Sequence, residues 1–413
     1  MKIRKNTMKK SNPIIAEDNS KKYSIHTMTF RARLTKESST SIKEKLIKLS
    51  NKEGMGYYEK KSEDKAVYKT MNFNVASCFG FNTVSLLKIT SKNRDTFYWM
   101  DIKINPRWMF HKDNHPFVYI ASKKDLKSSY KRIAQFLEAS AINEISSEAF
   151  YIQRADYCVN IDLGSQDCVK EYMRLMKKGA YPYNAERKEE YSKSGKRKVP
   201  TKDSFTVGSN SFEFSIYDKY RQLCKETDKY AEGEIREAEG MIRIELRVKR
   251  PKIKYDGKKG RYNNTLEFLS HAGDIAEDNI PRYIKKAYGS GKFVKLKEAK
   301  QMIENSKYKK KTKEKMTEIL DKVSKSKLQE VKQSYGKSFS KHMKRFNDLG
   351  ISPVTIEKRS RIKEFPGPLY FIEYKNKSFL SVSMAYRLSC ILLARVSYRF
   401  WQRGWEILMG LSV

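Results

Sequence analysis

The sequence is short of acid. Its 413 residues hold 48 Asp plus Glu against 86 Lys plus Arg, a formal net charge of +38. An excess of this size repels itself unless a polyanion supplies counter-charge, which points to nucleic acid first and an acidic membrane surface second. Cysteine is scarce: Cys78, Cys158, Cys168, Cys224 and Cys390 are scattered, with no C-x-x-C pair. That argues against a zinc ribbon and a secreted disulfide framework, and fits a reducing cytoplasm. Long apolar runs are missing too. The first 22 residues are cationic without the apolar stretch of a signal peptide. The apolar patches after Phe379 are broken by Arg387, Arg395, Arg399, Arg403 and Glu406, against a spanning helix. The five histidines (His26, His111, His115, His271, His342) include no His-hydrophobe-His pair. In "HKDNHP" the histidines are followed at once by Pro116, so a loop is expected there and not a metal-binding helix. "GSGKF" lacks the upstream Gly of a phosphate loop and has Phe293 where Ser or Thr is needed, so no ATPase motif remains.

What is present is enough for a sizeable core: 39% hydrophobic and 12% aromatic residues, despite 32% charged. Residues 1–24 read as a flexible basic arm. Strand candidates follow at "YSIHTMTFRARL", "KAVYKTMNFNVA", "NTVSLLKIT" and "TFYWMDIKINP", the last stopped by Pro106. "SKKDLKSSYKRIAQFLEASA" reads as a helix, with Ser122 and Asp125 as a capping pair and Leu126, Tyr130, Ile133 and Leu137 as its apolar stripe. "SQDCVKEYMRLMKK" is a second helix, stopped by Gly179. Residues 25–265 are thus expected to form one α+β domain, a largely antiparallel sheet with helices on one face and an open second face. Residues 266–357 are helix-biased and Lys-rich, the expected DNA-recognition or duplex-holding part. Residues 358–413 form a tail of uncertain structure. From Ser378 onward every basic residue is Arg in a chain otherwise dominated by Lys, which fits a stretch of different history or a terminal amphipathic helix.

Three strands alternate apolar and ionisable residues. "FYIQRADYCVNIDLG" sets Ala155, Tyr157, Val159 and Ile161 against Arg154, Asp156, Cys158, Asn160 and Asp162. "SFEFSIYDKYRQL" sets Phe212, Phe214 and Ile216 against Glu213, Ser215, Tyr217 and Lys219. "GMIRIELRVKRPKI" sets Ile242, Ile244, Leu246 and Val248 against Arg243, Glu245, Arg247 and Lys249. If the three are neighbours, their polar sides share one open face. Carboxylates there suit Mg²⁺ or Mn²⁺ and phosphodiester chemistry, and the basic residues suit a phosphate backbone. A tyrosine on that face can attack phosphorus and conserve the bond as a phosphotyrosine. Its pKa of about 10 requires help from a metal or a nearby cation such as Lys219. The alternation by itself also fits plain cross-strand ion pairs.

In this order, "QRADYCVNID", "SFTVGSNSFEFSIYDKYRQL" and "MIRIELRVKR" resemble the replication initiation factor family of rolling-circle plasmids and integrative elements, and more distantly the filamentous-phage replication endonuclease. The matched positions are Arg154 and Asp156, then Gly208, Ser209, Tyr217 and Lys219, then Arg243, Glu245 and Lys249. "MDIKINPRWMF" and "RFNDLGISPVTI" resemble outer segments of the family, so the likeness runs from about residue 25 to 357.

The resemblance implies a site-specific DNA endonuclease and strand transferase acting at a double-strand replication origin. Tyr217 would be the nucleophile with Lys219 beside it, and Tyr220 a lesser candidate. Asp156 and Glu245, with Glu213, would hold Mg²⁺ or Mn²⁺, and Arg154, Arg243, Arg247 and Lys249 would hold DNA. A host helicase and polymerase would take over from the released 3′-OH. The expected location is cytoplasmic with no membrane partner, and a homodimer is left open. Two other readings stay open: a catalytically inert DNA- or RNA-binding regulator, and a metal-dependent nuclease that uses water. The missing His-hydrophobe-His pair is a departure from many tyrosine nickases.

Overall fold

The computed structural model describes residues 23–62, 67–73, 79–91, 93, 95–110, 121–188, 202–225 and 232–373. Most of the expected N-terminal arm, the charged loop 189–201, the "HKDNHP" histidines, Cys78 and the tail from 374 lie outside these residues.

Ten strands run in chain order: β1 (Ser24–Leu34), β2 (Tyr57–Ser62), β3 (Val67–Phe73), β4 (Phe81–Thr90), β5 (Thr96–Ile104), β6 (Tyr151–Asp162), β7 (Glu186–Arg187), β8 (Ser204–Gly208), β9 (Phe212–Asp218) and β10 (Met241–Lys249). They form one antiparallel sheet in the order β2-β3-β4-β5-β1-β6-β10-β9-β8-β7. The first helices are α1 (Lys36–Lys52), α2 (Pro106–Phe110), α3 (Lys123–Ala139), α4 (Gln166–Lys177), α5 (Lys219–Cys224), α6 (Glu232–Glu237), α7 (Arg250–Lys258) and α8 (Thr265–Tyr288). A helical region follows with α9 (Leu296–Glu304), α10 (Lys310–Lys325), α11 (Leu328–Tyr335) and α12 (Phe339–Asp348), and then α13 (Pro368–Glu373). A two-stranded ladder of β11 (Phe293–Val294) and β12 (Glu364–Phe365) pins this region shut. The expected α+β class with a large antiparallel sheet is what the chain adopts.

One face of the sheet is apolar because the strand period is two. Met28, Phe30, Ala155, Tyr157, Val159, Phe214, Ile216, Ile244 and Leu246 are all buried. Helix α8 covers β1 and β6, with Phe268, Leu269, Ala272, Ile275, Ala276, Ile280, Tyr283 and Ile284 on one stripe. Each fully buried large apolar side chain contributes about 1.5–3 kcal/mol. The hydrophobic core is contiguous from Tyr23 to Ile372, so α8 and the Lys-rich helices share it with the sheet.

Local signals explain several elements. Ser122 and Asp125 form the capping box at the start of α3. Gly179 does follow α4, but a Cβ there would stand 2.2 Å from the Tyr288 ring, so close packing against α8 is what demands glycine. The strand expected over 211–223 ends earlier. Asp218 turns the chain by accepting the Arg221 N–H at 2.9 Å as the N-cap of α5, so Lys219 opens a helix and leaves the strand's polar row. No helix among the described residues is long and apolar enough to cross a membrane.

Candidate functional site on the open face

Strand β6 lies at the centre of the sheet, paired with β1 on one side and β10 on the other, and β10 pairs with β9. The three strands with ionisable faces are therefore consecutive neighbours. Their registers stack the polar side chains in rows across the open face. Tyr217, Arg243 and Asn160 form the first; Ser215, Glu245 and Cys158 the second; Glu213, Arg247 and Asp156 the third, which continues to Thr27 of β1. Lys249, Arg154, Thr29 and Lys103 are drawn into the next.

Tyr217 is half-buried, and its hydroxyl donates to Glu245 Oε1 at 2.5 Å. Burial, followed by the negative charge of Glu245, pushes the phenol pKa well above its ordinary value, while Arg243 pulls the other way. Arg243 is 2% exposed, donates from Nε to Asn160 Oδ1 at 2.7 Å and also hydrogen-bonds Tyr217. The cation nearest the phenol in effect is thus Arg243. Lys219 is buried on α5, donates to Gln222 Oε1 at 2.6 Å, and its charge acts on the Cys158 thiol, which burial pushes up to about 11. Tyr220, also on α5, packs with a small separate cluster of Leu223, Ile235 and Ala238.

Beside this lies a knot of charge. Asp156, 2% exposed, accepts from Arg154 Nε at 2.7 Å and from Arg247 Nε at 3.3 Å, with Arg154 Nη2 on its second oxygen. Arg247 reaches on to Glu213 Oε2 at 2.5 Å, and Lys249 binds Glu213 Oε1 at 2.8 Å. Burial would raise the Glu213 pKa, but Lys249 and Arg247 outweigh it and hold the carboxyl below the usual range. Burial and the Arg154 charge lower the pKa of nearby Lys103. Two acids among Arg154, Arg247, Lys249 and Lys103 leave the cluster net positive.

Sequence reasoning did not single out His26. The β1–β6 register slips by one residue between Ile25 and Thr27, so His26 and Thr27 together oppose Asp156. His26 Nδ1 comes 3.9 Å from Glu245 Oε1 and 2.9 Å from Thr27 Oγ1. The parity of "SIHTMTF" put a polar residue here; the slip that aims it at Glu245 has no sequence signature. Gly208 matters for space: a Cβ would lie 2.7 Å from the Phe212 carbonyl, so glycine permits the tight β8–β9 hairpin that presents Glu213.

No group of three or more His, Cys, Asp or Glu among the described residues is arranged to hold a metal. Asp156 and Glu213 are engaged by guanidinium and ammonium groups, which leaves Glu245 and His26 as the donors that face one another. One carboxylate beside one imidazole makes two donors, so a divalent cation held there would draw the rest of its shell from water and substrate phosphate.

On the helical side, a cleft of about 910 Å³ is lined by Lys285, Lys286, Lys332, Lys337 and Lys344 with Tyr183 and Asn184.

No family model and no curated protein matches the chain. Among solved structures it is similar to the rolling circle replication initiator protein from Geobacillus stearothermophilus, at 11% identity and a TM-score of 0.30 over 63% of this chain and 85% of that one. A likeness this remote carries no weight for function, which has to be argued from the site itself.

Proposed function

We propose that the chain initiates rolling-circle replication by nicking one DNA strand through a covalent link to Tyr217. The observation that supports this most is the hydrogen bond from the Tyr217 hydroxyl to Glu245 on a face bordered by cations. The phenolic oxygen attacks phosphorus and forms a P–O bond, while the P–O3′ bond breaks. The phenol proton passes to Glu245, and the leaving 3′ oxygen takes up a proton from solvent and departs as a 3′-OH primer. The 5′ phosphate stays on Tyr217 until that 3′-OH, or another, reverses the step.

Glu245 stands within reach to accept the proton. Arg243, directly across from Tyr217 in the β9–β10 register, orients the phenol and favours its ionised form. The positive excess of Arg154, Arg247, Lys249 and Lys103 holds the flanking phosphates, and Asp156 and Glu213 keep those side chains in their rotamers. Lys219 adds positive charge from α5, where its charge acts on Cys158. A divalent cation bound by Glu245 and His26 would neutralise charge on the phosphate and draw the carboxylate's field away from the phenol. The lysine cleft on the helical side suits duplex phosphates, which gives origin binding a strong salt dependence. A helicase and a polymerase of the host would act on the product.

The test is incubation of the full-length protein with supercoiled and single-stranded DNA pools in Mn²⁺, followed by a denaturing gel and mass spectrometry of the DNA-linked peptide. A stable adduct on the peptide that contains Tyr217 is expected. Cut DNA without an adduct would shift the reading to a nuclease that uses water, and intact DNA to a binding protein.

A further inference from the structure

The open face does not end at the ionic rows. Beyond β6, strands β1, β5 and β4 present Arg31 and Arg33, Phe97 and Trp99, and Leu87 and Ile89 on the same side; their alternates Phe30, Ala32, Met100 and Leu86 are buried in the core. The two rings, Leu87 and Ile89 are half-buried and lie outside the hydrophobic core. A half-exposed sheet face normally shows polar residues here, so a patch of rings and aliphatics marks a binding surface.

Guanidinium groups sit against the rings. Arg31 lies 5.6 Å from the centre of Trp99, Arg33 lies 5.7 Å from that of Phe97, and Arg250 lies 4.1 Å from that of Tyr151 on β6. Arg31 is fixed by two hydrogen bonds to Asp101 at 2.6 and 2.7 Å. Tyr151 pairs directly with Arg31 across β1 and β6, so the stripe runs from Phe97 to Tyr151 and meets the Arg154 cluster. Strand spacing puts its far end on the order of 40 Å from Tyr217.

We infer that this half of the face is a platform for single-stranded DNA, whose bases stack on Trp99, Phe97 and Tyr151 while its phosphates follow Arg33 and Lys103 toward Tyr217. Rings bound by cations accept any unstacked base and reject a closed duplex, whose bases are hidden. The net charge of +38 and the arginines along the stripe favour a polyanion over a protein partner. The inference adds a strand path to the nicking reading and is tested by binding alone.

The probe is a fluorescein-labelled oligothymidylate of about twenty nucleotides, matched by a duplex of equal length, titrated with full-length Tyr217→Phe protein at roughly 0.15 M salt. Trp99→Leu combined with Phe97→Leu should weaken the single strand about tenfold or more and leave the duplex within about twofold. Trp99→Tyr, which keeps a ring, should retain most of the affinity. Unchanged single-strand binding, or an equal loss on the duplex, overturns the proposal. If the double variant folds poorly by circular dichroism, Arg33→Ala at an exposed position decides: selective loss on the single strand supports the platform and no loss overturns it. Adduct formation is read separately on protein with Tyr217 intact, so failure of the nicking chemistry leaves this result standing.

Discussion

The two halves of one open sheet face use their side chains differently. On β9, β10 and β6 nearly every polar group is engaged by a neighbour: Tyr217 with Glu245, Asp156 with two arginines, Glu213 with Arg247 and Lys249. On β1, β5 and β4 the face offers rings backed by guanidinium groups. The contrast separates chemistry from grip. A reacting phosphate needs donors and acceptors fixed before it arrives, because reorganisation adds to the barrier. A moving strand needs surfaces that tolerate any base, which stacking provides and a fixed hydrogen-bond pattern does not.

The sharpest way to break this comparison is Tyr217→Phe. Adduct formation should fall below detection on a denaturing gel, with single-strand affinity unchanged; residual adduct would move the nucleophile elsewhere. Glu245→Gln should slow adduct formation by about 10²–10⁴-fold, measured in single-turnover assays, since it removes the proton acceptor. EDTA treatment should reduce the rate of the wild type further than that of Glu245→Gln.

Stability should divide the halves as well. Asp156→Asn leaves Arg154 and Arg247 beside a neutral amide in a buried spot and should cost about 3 kcal/mol in urea unfolding. Trp99→Leu, on a half-buried ring, should cost about 1 kcal/mol or less. Similar losses at both would mean that the aromatic half is core after all. For pH, a phenol held above its ordinary pKa keeps its proton until a base in the site takes it, so with Glu245 as acceptor the nicking rate should stay nearly flat between roughly pH 6 and 9. A rise of about tenfold per pH unit would mean that solvent hydroxide ionises the phenol before the attack and that Glu245 is not the acceptor.

The smallest effect concerns two acids, one on each half. Glu213 is held below its ordinary pKa by Lys249 and Arg247 against burial, whereas burial raises Asp101 despite Arg31. Glu213 therefore adds stability that is present above its unfolded pKa and lost as pH falls through the folded one. Asp101 works in the opposite sense: its share is complete below the unfolded pKa and lost as pH rises through the folded one. Carboxyl titration by NMR should place Glu213 below 4.5 and Asp101 above 3.8.

Much of this was legible from period-two alternation. The parity of Asp156, Glu213, Tyr217, Glu245 and Arg247 put them on one face before any contact was known, and the Ser122–Asp125 pair marked the start of α3. Strand adjacency was not legible, because residues 156 and 245 meet only through the sheet order. Lys219 was misplaced because strand parity was carried one residue past Asp218, whose side chain caps a helix. Arg243 read as a residue that holds DNA, yet it is buried beside Tyr217, since alternation tells the face and not the depth. Trp99 and Phe97 lay in a recognised strand, but both of its faces carry large apolar residues, so pattern alone could not tell which one meets solvent.

The slipped register at Ile25–Thr27 has an evolutionary corollary. Deleting the codon for Thr27 would remove this bulge, leave the second one between Thr29 and Phe30 in place, and make the imidazole the sole partner of Asp156 in the register. A one-codon indel in this strand would thus exchange the acid that the histidine addresses while sparing the fold, a change that no point substitution at position 26 can reproduce.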